Sequence, residues 1–172
     1  NNPTIEIRDI IFNYNSTILA IANAIGNIEI YNIDGSFRTT IIAHKTQIRQ
    51  IKFSPNGKIL ASASDDKMVG IWQLDGKLIR TLEGHTDEVN TVAFSPDGQF
   101  LATGTNDKIV NLWSINGTFI RTLGKHDSAV YDVNFNRDGQ TIASVSWDKK
   151  VKIWSIQGQE ISVFQGHKSG IW

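Results

Sequence analysis

The sequence predicts an all-β chain built from tandem four-stranded antiparallel sheets, and three observations carry that expectation. The only four histidines among the 172 residues recur every 41 positions, at His44, His85, His126 and His167. An aromatic residue keeps the same spacing at Tyr31, Trp72, Trp113 and Trp154, and an aspartate does so at Asp66, Asp107 and Asp148. Each period holds short runs rich in β-branched and apolar residues, parted by Gly, Asn and Asp, with no helical pattern. A fixed period near 40 residues means one supersecondary unit copied in tandem.

The unit that opens at His85 shows each element in order. Val89-Asn90-Thr91-Val92-Ala93-Phe94 reads as a first strand. Ser95-Pro96-Asp97-Gly98 is a turn, with Pro fixing φ and Gly accepting φ > 0. Residues 100–105 form a second strand, Asn106-Asp107-Lys108 a short loop and residues 109–113 a third strand. Asn116-Gly117 is the strongest short hairpin signal, and residues 119–123 make the fourth strand. The other copies agree: Phe12, Phe53, Phe94 and Phe135 all close a first strand.

A four-stranded sheet of this size cannot bury both faces alone, so neighbouring copies must cover them. The positions Ile51/Val92/Val133, Leu60/Leu101/Ile142 and Ile71/Leu112/Ile153 are the expected packing residues. Radially stacked four-stranded sheets make a β-propeller. The expected organisation is one array over 1–172: a degenerate blade over 5–43, then blades over 44–84, 85–125 and 126–166. Residues 167–172 then begin a further blade. Four blades complete about half a typical ring, so an open partial propeller or half of a larger ring is expected.

Composition narrows the function. Lys+Arg and Asp+Glu are equal at 17 each, which gives no long-range attraction to nucleic acid or to an anionic membrane. With no cysteine, thiol catalysis, disulfides and zinc thiolate sites are excluded, and a reducing, cytoplasmic setting is suited. No apolar run approaches a bilayer span, and residues 1–4 show no signal-peptide pattern. No Gly-rich loop precedes a helix, no His-Glu-x-x-His occurs, and Asp65-Asp66 lacks a calcium-loop pattern. No cofactor or metal is therefore expected.

The repeats resemble those of WD40-repeat proteins, and the resemblance covers essentially the whole chain. Its carriers are Gly84-His85 and Gly166-His167, with Ala43-His44 and Lys125-His126 as variants. Three sets follow at the family's spacing: His44, Ser64, Asp66 and Trp72; His85, Thr105, Asp107 and Trp113; His126, Ser146, Asp148 and Trp154. The resemblance implies that each set forms a hydrogen-bonded chain inside one blade. The polar groups suit that role: Asp accepts from one ring N–H of His, whose other nitrogen accepts from the hydroxyl. The hydroxyl in turn accepts from the indole N–H. A catalytic Ser-His-Asp set is the rival reading, but such a set occurs once in an enzyme and here it recurs beside a Trp. The Asp that follows Trp in the family is replaced by Gln73, Ser114 and Ser155, and by Asn32 after Tyr31. The first unit has Pro3, Asn23 and Ile25 in place of His, Ser and Asp. Short-turned repeats of this kind are similar to those of long bacterial WD-repeat arrays, often fused to signalling domains.

With the sets assigned to scaffold, function is expected on the face bearing the His and Asp loops, which the resemblance implies is the partner-binding face. Its candidates are Arg49, Asp65, Glu88, Asn90, Asn106, Tyr131, Trp147 and Trp172, with Tyr131 and Trp147 at the centre. Trp, Tyr and Arg most often dominate interface energy. The rival for Trp147 is a loop residue packed on the next blade. The expected function is a non-catalytic protein–protein interaction scaffold, the sensing or docking region of a larger intracellular signalling protein. Two alternatives remain: a self-associating module, in which a homodimer or further blades of the same protein close the ring, and an enzyme with its site in the propeller channel.

Overall fold

The computed structural model describes residues 5–170. Among them lie sixteen strands and no helix, in four antiparallel sheets. The first sheet contains β1 (Ile7–Phe12), β2 (Ile18–Asn23), β3 (Asn27–Asn32) and β4 (Phe37–Ile42). The second contains β5 (Ile48–Phe53), β6 (Ile59–Ser64), β7 (Val69–Gln73) and β8 (Leu78–Leu82). The third contains β9 (Val89–Phe94), β10 (Phe100–Thr105), β11 (Ile109–Ser114) and β12 (Phe119–Lys125). The fourth contains β13 (Val130–Phe135), β14 (Thr141–Ser146), β15 (Val151–Ser155) and β16 (Glu160–Phe164). Each is a simple meander, as the turn spacing predicts, and the stacked sheets are propeller blades in an open array.

The core lies between blades. One apolar cluster joins Ala20, Ala22, Ile28, Ile30 and Ile41 of blade 1 to Ile48, Ile51, Leu60 and Trp72 of blade 2. The same pairing recurs one period on, where Ala61, Ala63, Val69, Ile71 and Leu82 meet Val89, Val92, Leu101 and Trp113. It recurs again between blades 3 and 4, where Ala102, Val110, Leu112 and Leu123 meet Val130, Val133, Ile142 and Trp154. Each interface thus pairs the leading face of one blade with the trailing face of the next. The predicted packing residues are buried with one exception: Ile153, on the leading face of blade 4, is only half-buried. Burial there requires a following blade, and none of the described residues supplies one.

The hairpins between third and fourth strands fall where the Asn116-Gly117 signal and its counterparts place them. Gly35, Gly76, Gly117 and Gly158 adopt positive φ of 85 to 94°, whereas Asn116 does not. The Gly117 N–H donates to Ser114 O at 2.9 Å, closing the turn on Ile115-Asn116, and Gly117 follows as a left-handed bulge residue.

Candidate functional site

Three polar chains run through blades 2 to 4. In blade 2 the His44 Nδ1–H donates to Asp66 Oδ2 at 2.9 Å, and Ser62 Oγ lies 2.7 Å from His44 Nε2. The Trp72 indole N–H donates to the same hydroxyl at 2.9 Å. Blade 4 repeats this with His126 to Asp148 at 2.8 Å, Ser144 to His126 at 2.7 Å and Trp154 to Ser144 at 2.7 Å. The hydroxyl is therefore not the one that spacing to Asp predicts. Ser64, Thr105 and Ser146 lie two residues further along the same strands and serve the loop instead. Ser64 Oγ donates to Gln47 O at 2.8 Å and accepts the Asp66 N–H at 3.2 Å. Ser146 makes the corresponding pair with Ser128 O and the Asp148 N–H, while the Thr105 hydroxyl donates to Asp107.

Oγ···Nε2 and Nδ1···carboxylate contacts have the connectivity of a Ser-His-Asp catalytic set. Here the hydroxyls are sealed: Ser62, Thr103 and Ser144 are all fully buried, and each also receives an indole N–H. A nucleophile without access to solvent cannot meet a substrate, so the chains act as struts. Burial pushes the Asp66 carboxyl up, but the His44 ring and the backbone N–H groups of Lys45 and Met68 outweigh it, leaving Asp66 below its usual range. Asp148 is lowered likewise: the Asp127 N–H, the His126 ring and the Lys150 N–H overcome its burial.

Blade 3 breaks the pattern. His85 Nε2 and the Trp113 indole both reach Thr103 Oγ1 at 3.0 Å, but His85 Nδ1 finds no hydrogen-bond partner. Asp107 is drawn away by the hydroxyls of Thr86 and Thr105. The His85 ring tilts onto Trp113, with centroids 4.7 Å apart at 41°, against 6.3 Å and 74° for His44 and Trp72. Burial pushes the His85 pKa down to about 4, which Asp107 and the Lys67 backbone only partly offset. Blade 1 has no such chain. Ile21 stands at the hydroxyl position and Ile25 at the aspartate position, while Tyr31 donates to Glu29 Oε2 at 2.8 Å. Pro3 lies outside the described residues.

At the loop face, the first strand of every blade carries a β-bulge. The pairing skips Arg8, Arg49, Asn90 and Tyr131. A bulge re-aims its side chain, so these four positions project differently from the strands they interrupt. Two of them tie blades together. Arg49 pairs with Asp65 and, at 3.1 Å, with Glu88 of the next blade. Asn106 Nδ2 donates to Glu88 Oε2 at 2.8 Å, and Asn106 Oδ1 accepts from Asn90 Nδ2 at 2.8 Å. Asn90 Nδ2 also donates to Val130 O of blade 4 at 2.9 Å. Asn90 is thus buried, which corrects its expected place on the surface: its amide satisfies the backbone of the neighbouring blade.

Tyr131 and Trp147 come together, with ring centroids 6.1 Å apart at 56°. Trp147 is 49% exposed, and its backbone N–H donates to Ala129 O at 3.1 Å. Gly170 lies against the indole so closely that a Cβ there would sit 2.4 Å from Cε3. Trp172 lies outside the described residues. Among the described residues no cluster of three or more His, Cys, Asp or Glu is placed to hold a metal ion.

Repeated meander blades locked by His–hydroxyl–Trp chains define a propeller-type repeat protein. A family model described as "WD domain, G-beta repeat" matches residues 35–73, 76–114 and 117–155, so the chain belongs to the WD40-repeat family. Each match takes the fourth strand of one blade and the first three of the next, so the sequence repeat straddles two blades. No curated protein matches the chain. Repeats of this family generally mediate protein–protein interaction and are typically non-catalytic scaffolds.

Proposed function

We propose that the chain is a non-catalytic docking scaffold that binds a protein or peptide on its loop face at Tyr131 and Trp147. The observation that carries this reading is Trp147. At the corresponding loop position the other blades have Ala24, Asp65 and Asn106, the last two bonded within the face. Among the described blades only blade 4 places a half-exposed indole there, its ring tilted at 56° to that of a half-buried Tyr131. Rigid aromatic anchors of this kind contribute disproportionately to binding. The Arg49–Asp65–Glu88 ties hold the rest of the face in shape rather than offering free charges. On the resemblance to long bacterial repeat arrays, the natural setting proposed is the docking arm of a larger cytoplasmic signalling protein.

The test is selection of binders from a random peptide library against the 172-residue chain, followed by titration of the best peptide. Trp147→Ala and Tyr131→Ala are each expected to cost about 2 kcal/mol, roughly thirtyfold in Kd. Unchanged affinity with an unchanged unfolding midpoint would remove this patch as the docking site.

A further inference from the structure

The strand position two residues before each repeat's aromatic residue holds a different residue in every described blade: Glu29, Gly70, Asn111 and Lys152. Residues two apart on a strand share a face, so each stands beside its aromatic ring. Glu29 accepts from the Tyr31 hydroxyl at 2.8 Å. Asn111 Oδ1 accepts from the Thr122 hydroxyl at 2.8 Å. Lys152 holds its ammonium over the Trp154 ring, 5.2 Å from the centroid, and donates to Lys125 O at 3.0 Å and to Glu160 Oε2 at 2.8 Å. Gly70 brings no side chain, and a cavity of about 130 Å³ lies beside it and Trp72.

That cavity is the place the Lys152 side chain fills in blade 4. Its lining includes Ala43, His44, Asp66, Gly70, Trp72 and Leu78, which match Lys125, His126, Asp148, Lys152, Trp154 and Glu160 two periods on. The strand pairing is the same in both blades. Gly70 stands opposite Thr81 and Trp72 opposite Leu78, as Lys152 stands opposite Val163 and Trp154 opposite Glu160. The ring and the carbonyl that receive the Lys152 ammonium thus recur in Trp72 and Ala43, with the lysine missing. Two charges differ: Leu78 replaces the Glu160 carboxylate, and Lys45 replaces Asp127 on the rim. The Asp66 carboxylate remains, its side chain 15% exposed against 4% for Asp148.

We infer that the blade 2 cavity binds the side chain of a lysine presented by a partner polypeptide. The alkyl stem lies along the Trp72 ring beside Gly70 and Leu78, and the ammonium donates to Ala43 O near Asp66. A Lys ammonium at a Trp face is attracted by the ring quadrupole, and more strongly once desolvated. The stem covers apolar surface while the charged head keeps its polar partners. A polypeptide reaches the cavity from the side of β8, the edge strand of its sheet, which supplies Leu78 and Thr81 to the lining. The rim residues Lys45, Met68 and Leu78 are all exposed. This site lies two blades away from Tyr131 and Trp147 and does not depend on them.

Titration of the 172-residue chain with Nα-acetyl-lysine methylamide, read by NMR from the indole N–H resonances, tests the site. The Trp72 resonance is identified by its loss in Trp72→Phe. It is expected to shift saturably with a Kd on the order of 10 mM, as suits a ligand that buries few atoms. Acetylation of the ligand's ε-amine, which removes the charge, is expected to weaken binding at least about tenfold. Leu78→Glu, at an exposed position, restores the carboxylate that holds Lys152 and is expected to tighten binding about tenfold. Gly70→Lys fills the cavity from within and is expected to abolish the shift. A Cβ at residue 70 would stand 2.4 Å from Trp72 Nε1, so the indole must move to the place Trp154 takes beside Lys152. An unmoved Trp72 resonance at about 100 mM ligand would overturn the inference. So would equal binding of the acetylated ligand, a Leu78→Glu constant no tighter than the parent's, or a folded Gly70→Lys that still responds. Binding of n-butylammonium without binding of the lysine compound would make the site one for free amines and overturn the polypeptide partner. The Leu78→Glu constant decides the matter even where Gly70→Lys does not fold.

Discussion

Asp107 and Asp148 occupy the same place in successive repeats yet carry different loads. Asp148 is the acceptor for His126 Nδ1, while Asp107 serves two threonine hydroxyls and leaves His85 Nδ1 alone. Asp148→Ala therefore orphans a buried ring N–H and is expected to cost about 2 kcal/mol. Asp107→Ala releases the hydroxyl of Thr86, which is exposed, and that of Thr105, which keeps Ile109 O at 3.2 Å, and is expected to cost less than half as much, both read from urea midpoints. The unpartnered ring also sets a pH dependence. The unfolded chain protonates His85 near 6.5 and the folded chain near 4, so the unfolded state binds more protons as pH falls between these values. Stability is thus full above pH 6.5 and lost on acidification to about pH 4, by roughly 3 kcal/mol. His126, also depressed by burial, adds to the loss in the same direction. Replacing His85 by Gln is expected to flatten the dependence of the urea midpoint between pH 7 and 4.5; an unaltered slope would assign it elsewhere. At this scale the sequence was only partly legible. Ser62 and Ser64 are two residues apart on one strand, hence on one face, and both recur every period, so spacing alone does not choose between them. The discriminating signal was in blade 1. Its Ile21 breaks the hydroxyl row in the very unit that lacks His and Trp, whereas Asn23 keeps the other row polar.

At the scale of the element, strands and turns were legible because alternation and turn residues are local, whereas bulges depend on the partner strand. Nothing in Tyr131 or Arg49 announces that the ladder skips it. Asn90 misled for that reason: a polar residue expected on the face is a buried bridge, because its bulge aims it at the Val130 carbonyl. Close approach between elements was equally hidden. Gly124 of β12 lies under the indole of Trp154, where a Cβ would stand 2.1 Å from Cζ3. The tryptophan is buried in the core, so it cannot swing away freely. Gly124→Ala is expected to destabilise by about 1–3 kcal/mol through overpacking and to shift the near-ultraviolet dichroism of the buried indoles. Gly35→Ala meets no atom within 4 Å and is expected to cost only the strain of its positive φ, about 1 kcal/mol.

Across the whole molecule, stability follows position in the array rather than the quality of any one blade. Blades 2 and 3 are covered on both faces, while blade 1 exposes Ile7, Ile10 and Phe12 and blade 4 exposes Ile161, Val163 and Phe164. In repeat arrays each unit is held by its own stability plus its neighbour interfaces, so an end blade lacks one of two such terms. Amide hydrogens of β6 and β10 are therefore expected to exchange most slowly, and those of β2 and β15 orders of magnitude faster, in dilute protein. Equal exchange in all four blades would instead mean that the array unfolds as one unit, with neighbour interfaces strong enough to tie the outer blades to the middle.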